Sequence, residues 1–278
     1  MTRRFRFTIL GSGSSGGVPR IGNIWGQCDP KNPKNRRRRS SALVEVFNGT
    51  GKTTVLIDTS PDLREQLLDA SVTHLDAVLF THDHADHTHG IDDLRVLVIN
   101  NKRRVPVYFD AVTRRSLETR FDYCFRGRGE AGKFSYPAIL ESHDLTAGDP
   151  VTITGAGGPI DFLPFAQTHG DIISLGLRIG GLAFSSDISD VPAQSLPALE
   201  NLDVWIVDAL RYLPHPSHFS VKEALAWIAR IAPKRAVLTH LHTDLDYDLL
   251  RAELPSSIEP AYDGMVIEWE EVSGQSTS

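Results

Sequence analysis

The sequence has very little cysteine. Only Cys28 and Cys124 occur among its 278 residues. Two thiols cannot supply the several crosslinks of a disulfide scaffold, and such sparse use of cysteine is typical of a reducing compartment. We therefore expect a cytoplasmic protein that is stabilised by a hydrophobic core.

Long apolar runs are also missing from the sequence. No uninterrupted apolar stretch reaches the length of about 18 residues that spans a bilayer. The first ten residues are followed directly by Gly11 and Ser12, without the apolar segment of a secretory signal. We expect no membrane contact and no signal peptide. Because 41% of the residues are hydrophobic and 23% are charged, we expect one large core and a single domain over residues 1–278.

The sequence also lacks an excess of positive charge. The formal net charge of −6 argues against a general surface for polyanions. The local exception is the run of four arginines from Arg36 to Arg39. A nucleic-acid-binding module that uses this run is the alternative from a different functional class. The simpler interpretation is a solvated segment or the edge of a substrate site.

Glycines are concentrated near the N-terminus. The segment from Gly11 to Gly17 matches the spacing of a dinucleotide-binding loop. That interpretation requires a helix directly after the glycines, but Pro19 and an irregular segment follow. We reject it and expect the glycines to allow close approach either of a bound anion or of a neighbouring loop.

The densest set of metal-ligating side chains follows the apolar residues 77–80. Its order is His82, Asp83, His84, Asp86 and His87, in which only Ala85 cannot bind a metal. Side chains alternate in an extended segment, so His82 and His84 can bind one ion together. Asp86 and His87 lie where a helix is expected to begin and can face a neighbouring ion. We expect Asp83 and Asp86 to supply carboxylates that orient the imidazoles.

Three further candidate ligands end other predicted strands. His169, Asp187 and His240 each follow an apolar segment, as His82 does. In layered α/β proteins, ligands collect at the carboxyl ends of the strands. The four strand ends together predict one site.

These residues resemble the signature of the metallo-β-lactamase superfamily, and the resemblance extends over residues 5 to about 268. It implies a four-layer αββα sandwich and a site for two divalent ions. By this resemblance His82, His84 and His169 bind the first ion, Asp86, His87 and His240 bind the second, and Asp187 bridges both. Imidazole and carboxylate ligands suit zinc or manganese, and the sequence leaves this choice open.

A proton donor for the leaving group is expected before the helix that begins near Ser220. The loop before this helix contains His215 and His218. We favour His218 as the donor, as the phosphodiesterase branches of the superfamily imply, with Asp208 as its orienting partner and His215 as the alternative. We count Asp86 as catalytic together with His218 and Asp208.

The N-terminal glycine-rich segment and the late residues 261–264 resemble the phosphoribosyl 1,2-cyclic phosphate phosphodiesterases. We expect a phosphodiesterase that hydrolyses a small cyclic phosphate or nucleotide-like diester with a hydroxide that bridges the two metals. A tRNA 3′-processing type of ribonuclease is the alternative within enzymes, and thioester or β-lactam hydrolysis is open. RNA is thus a disfavoured partner, and a homodimer is left open. For a third, structural zinc, the chain offers only Cys28 and His242.

Overall fold

The computed structural model describes residues 2–127 and 136–272 of the chain. A glycine-rich loop predicted over residues 125–132 lies partly outside this range, as do both ends of the predicted domain. In the part that is described, no helix is long and apolar enough to cross a membrane.

Two seven-stranded sheets form the centre of the fold. The strands are β1 (Thr2–Gly11), β2 (Ser41–Asn48), β3 (Gly51–Ile57), β4 (Ala77–Leu79), β5 (Val105–Phe109), β6 (Leu140–Asp144), β7 (Val151–Gly155), β8 (Gly158–His169), β9 (Ile172–Ile179), β10 (Leu182–Ser185), β11 (Val204–Asp208), β12 (Arg235–Thr239), β13 (Ile258–Pro260) and β14 (Met265–Val272). The first sheet has the order β14-β1-β2-β3-β4-β5-β6, and the second has the order β13-β12-β11-β10-β9-β8-β7.

Helices cover the outer faces of both sheets. They are α1 (Leu63–Asp69), α2 (Ala85–Thr88), α3 (Leu94–Asn101), α4 (Ala111–Arg120), α5 (Asp122–Arg126), α6 (Val221–Ile231) and α7 (Tyr247–Glu253), with 3₁₀ turns at Pro33–Asn35, Ile91–Asp93 and Ala193–Leu199. Helices α1 to α5 follow strands of the first sheet, and α6 and α7 follow strands of the second.

The packing confirms the four layers that were expected. Phe7 and Phe184 come from different sheets and meet with ring centroids 5.5 Å apart, in the core between the sheets. A second core joins the first sheet to its helices through residues such as Leu63 and Leu117. A third joins the second sheet to α6 and α7. Each sheet is therefore buried on both faces over most of its area, which explains why many strands are continuously apolar.

Two predicted helices are interrupted in the structure. The helix expected from His87 to Asn100 is divided into α2, a 3₁₀ turn and α3, and the helix expected over residues 111–124 breaks at Phe121. Gly90 lies at the first interruption, where a Cβ atom would be 2.8 Å from the Leu63 Cβ. This close approach to α1 sets where the first helix breaks.

Parallel pairing brings the ends of several strands to one edge. Strands β3 to β6 are mutually parallel, as are β10 to β13. Within two residues of the ends of three of these strands, Asp58, Asp187 and His240 have φ angles of 61°, 53° and 59°. Residues other than glycine rarely adopt this left-handed conformation, and such residues cluster at functional sites.

Candidate active site

The structure brings all seven predicted ligands together in two groups. Within each group, one ligand atom from every residue lies within 4.8 Å of the others. The first group contains His82, His84, His169 and Asp187, and the second contains Asp86, His87, Asp187 and His240. Asp187 is the member that the groups share.

The two carboxylate oxygens of Asp187 face different groups. Its Oδ1 lies 3.1 Å from His87 Nε2 and 3.2 Å from His240 Nδ1. Its Oδ2 lies 3.8 Å from His82 Nε2 and 3.7 Å from His169 Nε2. Burial alone would raise the pKa of Asp187, but His240 and His87 hold it well below the usual range of a carboxyl. The side chain is therefore an anion placed between two sets of imidazoles.

Unpartnered nitrogen atoms test whether this site suits metal ions. His82 Nε2, His87 Nε2 and His240 Nδ1 are buried and have no hydrogen-bond partner. Buried polar atoms are nearly always paired. Three buried nitrogens without a hydrogen-bond partner, placed around one carboxylate, are therefore suited to bind metal ions. Burial lowers the pKa of His82 and of His169, which keeps these rings neutral and able to coordinate. The residues fit divalent cations.

Asp58 fixes the orientation of two of these rings. His87 Nδ1 donates to Asp58 Oδ2 over 2.7 Å. Thr81 Oγ1 donates to the same carboxylate and accepts from His82 Nδ1 over 3.0 Å. Both rings therefore carry their proton on Nδ1 and present Nε2 to the site. From its place at a strand end, Asp58 was expected to be either a carboxylate that supports the ligands or a simple turn former, and Thr81 was not anticipated.

Two further supports were missed from the sequence. His169 Nδ1 donates to the carbonyl of Ser217 over 2.6 Å, which turns its Nε2 towards the first group. Ser186 Oγ donates to Asp187 Oδ1 over 2.6 Å and lies 3.2 Å from Ser40 Oγ. Only the position of Ser186 directly before Asp187 could have signalled its role. The carbonyl of Ser217 has no signal in the sequence.

The expectation that Asp83 orients a metal-binding imidazole is wrong. Its side chain points away from the site and accepts from Ser116 Oγ of α4 over 2.5 Å. Arg120 Nη2, also from α4, donates to the Asp83 carbonyl over 2.5 Å and to its carboxylate over 3.3 Å. Because Asp83 lies between His82 and His84, α4 holds the backbone that carries both rings.

We predict that Arg120→Gln weakens metal binding in the first group by roughly tenfold, since outer contacts of metal ligands are typically worth that much or more. Arg115→Gln on the same helix is the matched control, because Arg115 is exposed and its side chain has no hydrogen bond or ion pair with any described residue. Competition with a chromophoric chelator measures both affinities. Equal affinities for the two variants would show that α4 does not position the loop.

His218 lies beside the two candidate ligand groups. Its ring stacks on His240 with centroids 4.9 Å apart, and its Nε2 lies 4.0 Å from Asp187 Oδ2. Its Nδ1 donates to Asp208 Oδ2 over 2.6 Å. Burial lowers the pKa of His218, but Asp208 more than offsets this and raises it to about 9. His215 lies further out, with its ring centroid 5.1 Å from that of His218.

The interpretation of Arg36 to Arg39 as one nucleic-acid platform is wrong. Arg37 is only 2% exposed and donates to the carbonyl of His242. Arg39 makes two hydrogen bonds of 2.7 Å from its guanidinium to Asp62, and Arg38 pairs with Asp69. Only Arg36 is exposed without an ion pair. The run does not form one basic surface, because Arg37 is buried and the half-buried Arg38 and Arg39 are held in ion pairs.

Cys28 and His242 do not meet in a third metal site. The Cys28 thiol donates to the carbonyls of Thr243 and Leu245, and it receives a hydrogen bond from Arg37. His242 Nδ1 lies 2.8 Å from Asp244 Oδ1. Two cationic guanidinium groups, from Arg37 and from the Arg20 that contacts His242, occupy the neighbourhood. Such charges oppose the binding of a further cation there.

The sequence from residue 53 to residue 241 matches a family model described as a beta-lactamase superfamily domain. The chain belongs to the metallo-β-lactamase superfamily. The match covers the Asp58 strand end, the His82 motif, His169, Asp187 and His240. The family match and the two ligand groups together show that the chain is a metal-dependent hydrolase.

A new diphosphatase from the PhnP family is similar to the chain over nearly its whole length. The two share 34% identity with a TM-score of 0.84, over 97% of this chain and 99% of the other. Zinc-bound PqqB from Methylobacterium extorquens has 17% identity and a TM-score of 0.72 over 94% and 99%. At that identity, the second likeness shows the fold alone.

A curated relative is much longer than this chain. The octanoyltransferase of Porphyromonas gingivalis is 34% identical over 265 residues, which are 94% of this chain and 51% of that protein. The chain thus spans about half the length of this relative. The name octanoyltransferase refers to the whole of that longer protein.

Proposed function

We propose that the chain is a dinuclear metal-dependent phosphodiesterase that hydrolyses a small cyclic phosphate or a nucleotide-like phosphodiester. The observation that carries this proposal is the position of Asp187, whose two oxygens face separate groups of imidazoles. Similarity to the diphosphatase of the PhnP family supports phosphate chemistry. The substrate enters as an anion and meets a site built for cations.

Each group would hold one ion. In this proposal His82, His84 and His169 hold the first, Asp86, His87 and His240 hold the second, and Asp187 contacts both. When bound, a pair of divalent ions supplies a water molecule of lowered pKa and neutralises charge on the phosphoryl oxygens. Zinc and manganese both suit these ligands. Asp86 lies 3.5 Å from His87 Nε2, so it also adds negative charge beside that ring.

His218 is the proton donor to the leaving oxygen in this proposal. Asp208 accepts a hydrogen bond from Nδ1, which fixes the ring with Nε2 towards the ligand groups. The pKa of about 9 keeps the ring protonated at neutral pH when no metal is present. Asp208 is itself anchored, because its Oδ2 accepts from the Ile188 amide over 3.1 Å.

The backbone also positions His218. Helix α6 begins three residues later and has a capping box, in which Ser220 and Glu223 each bond to the backbone amide of the other. A cap of this kind is worth about 1 kcal/mol. The buried residues Val221 and Ile228 then pack the helix against the second sheet. The histidine is therefore presented from a rigid start of a helix.

We predict that metal-loaded protein hydrolyses bis-nitrophenyl phosphate, and that a chelator abolishes the activity until zinc or manganese is restored. A panel of cyclic phosphates and dinucleotides then identifies the natural class of diester. An octanoyl thioester is the counter-substrate, chosen because of the longer relative. Hydrolysis of the thioester without any phosphodiester would contradict the proposal.

RNA hydrolysis remains the alternative substrate class. Because Arg37 is buried and both Arg38 and Arg39 are paired with carboxylates, the structure offers no continuous basic surface along this run. A salt titration of RNA binding distinguishes the alternatives, since phosphate contacts give a steep dependence on salt. RNA binding that depends steeply on salt and that persists without metal would favour RNA as the substrate.

A further inference from the structure

Two polar side chains of the second sheet hold the backbone at Asp187. Gln167 of β8 and Ser174 of β9 lie directly opposite each other in the sheet, and both are buried. Gln167 Nε2 donates to the carbonyl of Ser186 over 3.1 Å, and Ser174 Oγ donates to the carbonyl of Asp187 over 2.8 Å. Gln167 Nε2 also donates to Ser174 Oγ over 3.3 Å, which joins the two side chains. We call Gln167 and Ser174 the carbonyl clamp.

The two carbonyls belong to the peptide groups on either side of the Asp187 Cα atom. Peptide groups are planar, so the backbone conformation of a residue is set by the rotations of its two flanking peptide planes. The carbonyl clamp holds the oxygen of each plane and therefore restrains both rotations at Asp187. With a φ angle of 53°, Asp187 is in the left-handed region, which is unfavourable for a residue with a Cβ atom. Such a conformation persists only where the surrounding structure imposes it.

The amide of Gln167 indicates that this residue does more than fill space. Only Nε2 can face the Ser186 carbonyl, because Oε1 and the carbonyl oxygen are both acceptors. Oε1 is then buried and has no hydrogen-bond partner in the described part of the chain, which is unfavourable. An apolar side chain of similar size would avoid this cost. The fold leaves room for the amide, since a Cβ atom on Gly176 of β9 would lie 2.5 Å from Gln167 Oε1.

The position of the Asp187 carboxylate depends on this backbone conformation. The side chain starts from the Cα atom whose two peptide planes are restrained, so a change in φ or ψ would move both carboxylate oxygens. Such a movement would alter the distance to His87 Nε2 on one side and to His82 Nε2 on the other, which are 3.1 Å and 3.8 Å. Both ligand groups therefore depend on one backbone conformation.

We propose that Gln167 and Ser174 are positioning residues, which hold Asp187 in its left-handed conformation and so place its carboxylate between the two metal ions. This inference rests on the proposed dinuclear function. Neither residue is a candidate ligand, and both act through the backbone of Asp187. Loss of the carbonyl clamp weakens metal binding in both groups. Arg120, which holds the loop of the first group, is expected to affect that group alone.

The test uses Gln167→Met and Ser174→Ala, which remove the two donors without adding bulk. We expect each variant to bind both ions about tenfold more weakly than the wild type, since outer contacts of metal ligands typically contribute at least that much. Competition with a chromophoric chelator measures the two affinities. The absorption spectrum of the cobalt-loaded protein reports the ligand geometry, and it should change in both variants.

Ser195→Ala is the matched control. Ser195 is also buried, and its Oγ donates to the carbonyl of Ala166 in β8 over 2.7 Å, so this variant loses a comparable hydrogen bond to the same strand. We expect it to unfold at a lower temperature, as the clamp variants do, but to keep the metal affinities and the cobalt spectrum of the wild type. Wild-type affinities in both clamp variants, or an equal loss of affinity in Ser195→Ala, would overturn the proposal.

The dinuclear function and the carbonyl clamp can fail separately. If the wild type binds fewer than two ions, the dinuclear function fails, and the unfolding temperatures of metal-free Asp187→Gly and Asp187→Ala decide on the clamp. Glycine adopts the left-handed conformation freely, so Asp187→Gly should unfold about 2 to 4 °C higher than Asp187→Ala while the clamp is intact. This difference should disappear when Gln167→Met is added. No difference with the clamp intact, or one that persists without it, would contradict the positioning role.

Discussion

Asp187→Ala is expected to reduce phosphodiester hydrolysis by at least about 10³-fold and to leave no more than one tightly bound metal ion per chain. The reason is geometric, since the two carboxylate oxygens of Asp187 contact histidines of both groups. Loss of one fixed electrostatic partner in a buried catalytic site typically costs 10² to 10³ in rate, and here two sites lose a ligand. Steady-state kinetics after metal loading and elemental analysis measure the two effects.

Asp190→Ala is the control for this substitution. Asp190 is exposed, lies three residues further along the chain and contacts Thr168 only through its backbone. The Asp190→Ala variant should retain both the activity and the metal content of the wild type. If Asp187→Ala retains two ions and most of its activity, Asp187 does not join the two groups.

His218→Ala is expected to lose about 10² to 10⁴ in rate on a diester with an alkoxide leaving group, while both metals are retained. It should lose far less on a nitrophenyl ester, because the nitrophenolate leaves without a proton. The difference follows from the position of His218, whose Nδ1 is occupied by Asp208 and whose Nε2 faces the site. Parallel assays of the two substrates measure it.

His215→Ala provides the comparison within the same loop. Its ring accepts from the Ser217 amide over 3.3 Å and lies outside His218. We expect a small loss that is the same for both substrates. A leaving-group effect that appears in the His215 variant and not in the His218 variant would reverse the assignment. An equal loss on both substrates in His218→Ala would mean that His218 only positions the substrate.

The candidate metal ligands could be predicted because their signal is local. His82 and His84 alternate on an extended segment, and Asp86 and His87 follow them directly. Asp187 and His240 follow apolar strands that are parallel to β11, and His169 ends the antiparallel strand β8. The structure brings all of them into two groups. The capping box at Ser220 and Glu223 was equally local, since both partners lie within one helical turn.

Long-range contacts explain what the sequence could not predict. Asp83 was expected to serve the metal site because it is next to the ligands in sequence, but its partners, Ser116 and Arg120, are more than 30 residues away. Arg37 was expected in a solvated run, but it is buried against the carbonyl of His242, over 200 residues further along. Neither contact leaves a periodic pattern.

The proposed function requires that the chain bind two divalent ions side by side, with Asp187 between them. The most direct measurement is elemental analysis of the wild type after loading with zinc or manganese and removal of the excess metal. We expect about two ions per chain in the wild type and in Asp190→Ala, and fewer in Asp187→Ala. One ion or none in the fully loaded wild type would contradict it.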